Sequence, residues 1–282
     1  MNVMTQTRKP RLQKKLLFVL VACAALYLLI CVGCASCQRR FIYFPPVFAS
    51  ERENELGRAA NLERWLTPDG KSIGWKRLSY HQPSTGQVLV LHGNAGCAVQ
   101  CGHYADVIQK AAPLDLFMVE YPGYGDRPGT PSESSLEQSA AEALNVLPHD
   151  KPVYLVGESL GTGVAAYLAG KYPDRVSGIA LLAPYNGLVD VAQAHVLILP
   201  VSLILCDRFP AQDHLRTFHG PVAMIVAGKD LVVPERFGRR LYHGYDGPKK
   251  LWEFPQGDHG TVMMQPPEFW KEIVAFWVKA EH

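Results

Sequence analysis

The folded part of this chain has little cysteine to work with. Of its seven cysteines, Cys23, Cys31, Cys34 and Cys37 fall in or beside one apolar N-terminal run, which leaves Cys97, Cys101 and Cys206. Three is too few, and odd, for a disulfide framework. Cys97 and Cys101, four apart, can share a helix face, but no further ligands stand at zinc-site spacing. Plain buried thiols are the simpler reading, and no metal or organic cofactor is implied. Acid is missing from the first forty residues, which hold seven basic ones: Arg8, Lys9, Arg11, Lys14, Lys15, Arg39 and Arg40. The remainder then carries 21 basic against 26 acidic residues, a balance near −5. That leaves no basic face for nucleic acid. Internal repeats and low-complexity tracts are absent too, which excludes solenoids and disordered linkers.

What is present begins with Leu16 to Ala35, apolar apart from small residues and cysteines and about the 20 residues that cross a bilayer. The basic segment 1–15 before it predicts an N-terminus held in the cytoplasm and a domain exported beyond the anchor 16–37. A cleaved signal peptide competes, with Gly33, Ala35 and Ser36 as small residues at a cleavage site. So does a lipoprotein signal, with Cys34 after Gly33 or Cys37 after Ser36; each has Cys three positions earlier, where such signals usually carry Leu. An uncleaved anchor is the favoured expectation. Residues 38–61 then read as a juxtamembrane linker: a basic and aromatic collar from Arg39 to Pro46, followed by a charged stretch from Glu51 to Arg58. Because the core pattern starts near Leu62, removal of Met1 to Gln38 is expected to release an active domain.

The remaining 62–282 suffice for one large core, given 48% hydrophobic content overall. Leu62 to Leu66 and Ser72 to Tyr80 read as strands joined by the turn Thr67-Pro68-Asp69-Gly70. Continuous apolar runs follow at Val88 to Leu91, Leu116 to Tyr121, Val153 to Val156, Ile179 to Ala183, Val222 to Ala227 and Leu251 to Phe254. Helical runs separate them at Tyr104 to Ala111, Ser135 to Leu147 (with Ser134 and Glu137 as a capping box), Leu160 to Lys171, Glu235 to Tyr242 and Pro267 to Ala280. The alternation predicts an α/β fold with a mostly parallel sheet covered on both faces. One interval, about 185–218, is longer than a helix needs and holds the wholly apolar Val196 to Leu205. It reads either as a buried helix broken at Pro200 or as a small cap whose Leu199 and Leu203 wall a substrate pocket.

Chemistry centres on Gly157-Glu158-Ser159-Leu160-Gly161, a strand running into a helix through Gly-x-Ser-x-Gly. Such a nucleophile elbow turns so tightly that neighbours two away must lack side chains. It lifts the Ser159 hydroxyl over the strand ends, near the positive end of the next helix. A serine needs a base, and the base an orienting acid. Asp230 and His259 each follow a later strand directly, so both reach the sheet edge that carries Ser159. His195, His214, His219 and His243 lie in or beside helical and cap segments, and Asp207, Asp213 and Asp258 are weaker choices for the acid. After the strand ending at Leu91, His92-Gly93-Asn94-Ala95-Gly96 can aim the Asn94 amide inward as one oxyanion donor, with the Leu160 amide as the second. The loop lacks the Lys-Ser/Thr of a phosphate-binding P-loop.

From about Leu62 onward the chain resembles the α/β-hydrolase superfamily. Within it, the chain looks like N-terminally anchored serine hydrolases with a His-Gly-Asn-Ala-Gly loop, a group that includes depalmitoylating thioesterases. The resemblance rests on His92 to Gly96, Tyr121-Pro122-Gly123-Tyr124-Gly125, Gly157 to Gly161, and Gly228 with Asp230 and Pro234. It implies a Ser159, Asp230, His259 triad that cleaves acyl esters or thioesters. The family usually has Gly-His-Asn around its histidine, whereas this chain has Asp258-His259-Gly260. Acyl transfer to an acceptor other than water is the alternative within the enzyme class. An exported, non-catalytic binding protein on the same fold is the alternative outside it.

Overall fold

The computed structural model describes residues 9–280, with side chains from residue 13. Residues 1–8 of the expected basic segment, Arg8 among them, and the side chains of Lys9 and Arg11 lie outside the described residues. Helix α1 (Lys9–Cys37) contains the stretch Gln13–Cys37, 25 residues long and apolar enough to cross a membrane by length and composition. A short turn of helix, α2 (Arg39–Ile42), follows.

The expected charged linker is instead helix α3 (Ser50–Ala59). Its charges are not all solvated: Glu53 is buried and accepts a hydrogen bond from Trp75 Nε1 at 2.9 Å. Gly57 lies flat on the Trp75 ring, where any Cβ would overlap it. A local reading of charge missed this helix because its packing partner lies in the next sheet strand but one.

The sheet strands are β1 (Glu63–Leu66), β2 (Ser72–Arg77), β3 (Gly86–Leu91), β4 (Leu114–Val119), β5 (Val153–Glu158), β6 (Val176–Leu182), β7 (Val222–Ala227) and β8 (Lys249–Phe254). They lie in the order β1-β2-β4-β3-β5-β6-β7-β8. β1 and β2 are antiparallel, and β3 to β8 are parallel. Burial of both faces explains the unbroken apolar runs: Leu89 and Leu91 enter one core, and Val88 and Val90 the other. The first face carries α5 (Glu133–Val146), α6 (Leu160–Lys171) and α10 (Glu235–Gly244); the second carries α4 (Gly102–Ala111) and α11 (Pro267–Ala280).

The N-cap of α5 is Ser132 rather than Ser134. Ser132 Oγ accepts from Ser135 N, and Ser135 Oγ accepts from Ser132 N. Two short hydroxyls satisfy each other here, which leaves Glu133 free to hold the amides of Arg208 (2.6 Å) and Phe209 (2.9 Å).

Those amides belong to the interval between β6 and β7. It is built from α7 (Leu188–His195), α8 (Val201–Ile204) and α9 (Ala211–His214). Val196 to Leu205 is not the buried helix that was one of its two expected forms: Leu197, Ile198 and Leu203 are about four-fifths exposed.

Candidate active site

The elbow forms where β5 meets α6. Ser159 takes φ 49° and ψ −116°, a left-handed conformation that costs a non-glycine residue about 1–3 kcal/mol. Its neighbours show why only glycine serves there. A Cβ at Gly161 would sit 2.1 Å from the Leu91 carbonyl oxygen, and one at Gly157 would sit 2.7 Å from the Gly161 carbonyl oxygen.

Asp230 and His259 meet in space as the strand-end loops require. His259 Nδ1 lies 2.7 Å from Asp230 Oδ2. The other carboxylate oxygen, Oδ1, accepts the amides of Val232 (2.8 Å) and Val233 (2.7 Å). The Asp230 side chain is 1% exposed and the His259 side chain 25%. Both oxygens of the buried carboxylate are thus engaged as acceptors. Oδ2 accepts at 2.7 Å, which places the His259 ring proton on Nδ1 and leaves Nε2 with a lone pair.

The unusual neighbour Asp258 takes no part in that pair. It is exposed and accepts from Thr261 N (2.9 Å) and Thr261 Oγ1 (2.7 Å), which pull its carboxyl below the usual range. Asp258 thus pins the loop beyond His259. The other rivals also have employment elsewhere. His195 Nε2 bonds the Val232 carbonyl, Asp213 pairs with Arg216, and Asp207 pairs with Arg39.

The His92 loop is braced from three sides. Glu158, the second residue of the elbow motif, accepts from Gly93 N (2.9 Å) and from Tyr104 Oη (2.7 Å). Buried His92 donates from Nδ1 to the Gly93 carbonyl, and its Nε2 faces Glu120 at 3.0 Å. Glu120 also accepts the Ala98 amide at 3.0 Å. Asn94 Oδ1 accepts from Phe44 N (3.0 Å) and Tyr124 Oη (2.9 Å), while Nδ2 donates to the Ile42 carbonyl. The Asn94 side chain therefore fastens this loop to the segment just past α1. Neither the Asn94 nor the Leu160 backbone N–H has a protein acceptor among the described residues.

A cavity of about 690 Å³ opens beside Ser159. Leu160 and Asn94 form its floor, and Leu188, Val191, Leu199, Val201, Ile204 and Leu205 its cap wall. Leu199 stands where the apolar run suggested. Leu203 does not: it points outward, 81% exposed, and is no part of the lining. The third wall comes from Cys34, Gln38, Phe41, Ile42 and Phe44. Removal of Met1 to Gln38 would therefore take two lining residues, Cys34 and Gln38, out of the cavity wall. Gln38 also donates to the Ile204 carbonyl (3.1 Å) and accepts from Cys206 N (2.7 Å).

Asp207 is buried and accepts from Arg39 Nε (2.9 Å) and Tyr43 Oη (3.1 Å). Burial and that carboxylate push the Tyr43 phenol well above its ordinary range. Sequence reasoning weighed Asp207 only as a weaker acid for the triad and gave Tyr43 only a place in the aromatic collar, and it assigned no role to Glu158 or Glu120. For the two glutamates the available signal was an acid inside or directly after an otherwise apolar strand. Cys97 and Cys101 are both buried, and burial pushes the Cys97 thiol up to about 12.

A strand–elbow–helix with serine at a strained φ, set on an eight-stranded, mostly parallel sheet, defines an α/β hydrolase. A family model described as alpha/beta hydrolase fold matches residues 86–222. The chain is 33% identical over 231 residues to an uncharacterised protein of Mycobacterium tuberculosis, covering 79% of this chain and 80% of that one. The chain belongs to the α/β-hydrolase family. It is also similar to an uncharacterised membrane protein of Saccharomyces cerevisiae, at 27% identity over 268 residues, 86% of this chain and 89% of that one. A third relative is a lysophosphatidylserine lipase of Danio rerio, 29% identical over 203 residues; the match spans 63% of this chain and about half (52%) of the lipase. Among solved structures, a Pyrococcus furiosus esterase superposes with a TM-score of 0.61 at 17% identity, covering 84% of this chain and 98% of that one. At that identity it speaks for the fold alone.

Proposed function

We propose that the protein is a membrane-anchored serine hydrolase that cleaves an acyl ester or thioester through an acyl-enzyme. The observation that carries this reading is the saturated Asp230 carboxylate at 2.7 Å from His259 Nδ1, which leaves His259 Nε2 as a proton acceptor. Ser159 Oγ attacks the substrate carbonyl as His259 Nε2 takes its proton. The oxyanion forms against the N–H groups of Asn94 and Leu160, each worth about 2.7–4 kcal/mol in such sites. Collapse expels the alcohol or thiol, protonated by His259. Water, deprotonated by the same nitrogen, then attacks the acyl-enzyme, and the acid and free serine are released.

The apolar wall that includes Leu199 favours an acyl chain over a small polar group. A lipase among the relatives supports an ester-linked lipid; a thioester, as in depalmitoylating enzymes, uses the same site chemistry. Retention of φ 49° at Ser159 speaks against a non-catalytic binding protein, which gains nothing from that strain. Helix α1 is the anchor in this reading, with Lys14 and Lys15 on the cytoplasmic side and the hydrolase domain beyond the membrane. The kinship with a yeast membrane protein supports the anchor.

A fluorophosphonate probe tests the reading. It should label the wild type and fail on Ser159→Ala, whose turnover should fall by up to about a million-fold. A Ser159→Ala protein that retains most of its activity refutes the mechanism. Release of free acid from the acyl-enzyme separates hydrolysis from transfer to another acceptor.

A further inference from the structure

The segment Val196 to Leu205 turns one set of its large apolar side chains into the cavity and another to the outside. Leu197 is 82%, Ile198 79% and Leu203 81% exposed, and none of the ten residues is charged. An exposed apolar patch of this kind marks a surface that meets something other than water. Its place along α1 says what. Tyr27 Oη donates to the Ile198 carbonyl at 2.9 Å, and Gln38 Nε2 donates to the Ile204 carbonyl at 3.1 Å. Tyr27 lies eight residues before Ala35, the end of the apolar run. At a rise of 1.5 Å per residue, Ile198 is therefore held about 12 Å inside the span, toward its cytoplasmic end. If α1 crosses a bilayer, Ile198 cannot be in water.

The backbone of the segment is prepared for that environment. Hydrocarbon offers no partner for a carbonyl, so irregular chain at that depth must be satisfied from within. Gln193 donates to the carbonyls of Val196 (2.9 Å) and Leu199 (3.2 Å) and accepts from Val201 N (3.1 Å). Arg208 serves those of Ser202 (2.6 Å) and Leu205 (3.2 Å). Tyr27 and Gln38 serve Ile198 and Ile204. An ordinary surface loop leaves such carbonyls to water.

We infer that Val196 to Leu205 is a second membrane-embedded element, sunk beside α1 into the leaflet from which α1 emerges into the domain. The cavity beside Ser159, walled by Cys34 and Gln38 of the α1 end and by the inner face of this segment, opens toward that leaflet. Its substrate is a bilayer-resident acyl lipid that arrives laterally, chain first. This rests on the anchored-hydrolase reading above and names its substrate source. Arg39 and Arg40, with exposed Phe41 and Phe44, stand at the level of the headgroups.

The full-length protein in phosphatidylcholine vesicles tests it. Its five native tryptophans all lie in the hydrolase domain, so Ile198→Trp, Leu203→Trp and the control Tyr80→Trp, exposed at the far end of the sheet, can be read by difference. Lipid brominated along its acyl chains should quench the tryptophans at positions 198 and 203 and spare the one at 80. Acrylamide in the water should do the reverse. Acrylamide quenching at 198 and 203 with no effect of bromolipid overturns the inference. A second arm uses Leu197→Lys with Ile198→Lys. Turnover of an ester lipid dispersed in the bilayer should fall by about tenfold or more, because lysine resists immersion, while turnover of soluble p-nitrophenyl butyrate stays unchanged. Equal turnover of the bilayer lipid by variant and wild type overturns the lateral route. Fluorophosphonate labelling of Ser159 in the same vesicles keeps the two readings apart. Labelling without bromolipid quenching refutes the embedding alone; quenching without labelling refutes the hydrolase.

Discussion

Asp230→Asn alters the proton path with almost no change of shape. In the native site Oδ1 of Asp230 accepts the Val232 and Val233 amides at 2.8 and 2.7 Å, and Oδ2 accepts from His259 Nδ1 at 2.7 Å. Asparagine offers one oxygen and one NH₂. Two fixed backbone donors claim the oxygen, since an NH₂ turned toward them would orphan both, at about 1–3 kcal/mol each. The NH₂ must then face His259 Nδ1, which can only accept. The ring proton moves to Nε2, and that nitrogen can no longer take the proton of Ser159. Inversion of the tautomer in a serine triad costs about 10⁴ in kcat, or ~5.5 kcal/mol at 1.36 kcal/mol per tenfold. Steady-state kinetics on p-nitrophenyl butyrate should show that loss in kcat with KM little changed, because the acyl wall is untouched. The melting temperature should stay near the wild-type value. Asp230→Ala should differ by losing stability too, since it leaves both amides without a partner. An Asp230→Asn enzyme within about tenfold of wild type would refute the assigned proton path.

Three further outcomes are expected. Burial pushes the Glu53 carboxyl up to about 7, against about 4.3 in an unfolded chain. The folded state therefore holds a proton that the unfolded state has lost, and stability should fall as pH rises from about 4.3 to 7. Melting curves across that window should be flatter for Glu53→Gln, and an unchanged slope would exclude Glu53 as the cause. Asn94→Ala frees the oxyanion loop from Ile42, Phe44 and Tyr124, so kcat should drop by about 10–100-fold through misplacement alone; an undiminished kcat would show that the loop holds itself. Lengthening a p-nitrophenyl ester from acetyl should raise kcat/KM about four-fold per CH₂ until the cavity is filled. Leu199→Lys should blunt that slope by burying an unpaired ion, and a series that is flat in the wild type would remove the acyl wall from the argument.

The sheet and the strand-end residues were legible because each rests on local pattern. Apolar runs of strand length marked β3, β5 and β7, and glycines two either side of Ser159 marked the elbow through a steric demand that any homologous turn must meet. Asp230 and His259 followed from chain order. Helix α3 was hidden because charge hides burial: Glu53 looks solvated until Trp75 is placed against it. Leu203 was misjudged because an apolar run does not say which of its sides faces inward. The wall contributed by Cys34 and Gln38 was out of reach of any window. It depends on partners such as Ile204 and Cys206, about 170 positions away along the chain.

Asp207 bears on how such an enzyme can be brought into solution. Its carboxylate is buried, and the groups that answer it, Arg39 and Tyr43, belong to the stretch directly after the apolar helix. A fragment beginning at Leu62, where the core pattern starts, would carry that charge inside with nothing opposite it, a change that is strongly destabilising. It would also lack Glu53 and Gly57, against which Trp75 packs. The stretch between the anchor and β1 is thus part of the folding unit. Solubility is better sought by recolouring the outer side chains of α1 and of the cap than with scissors.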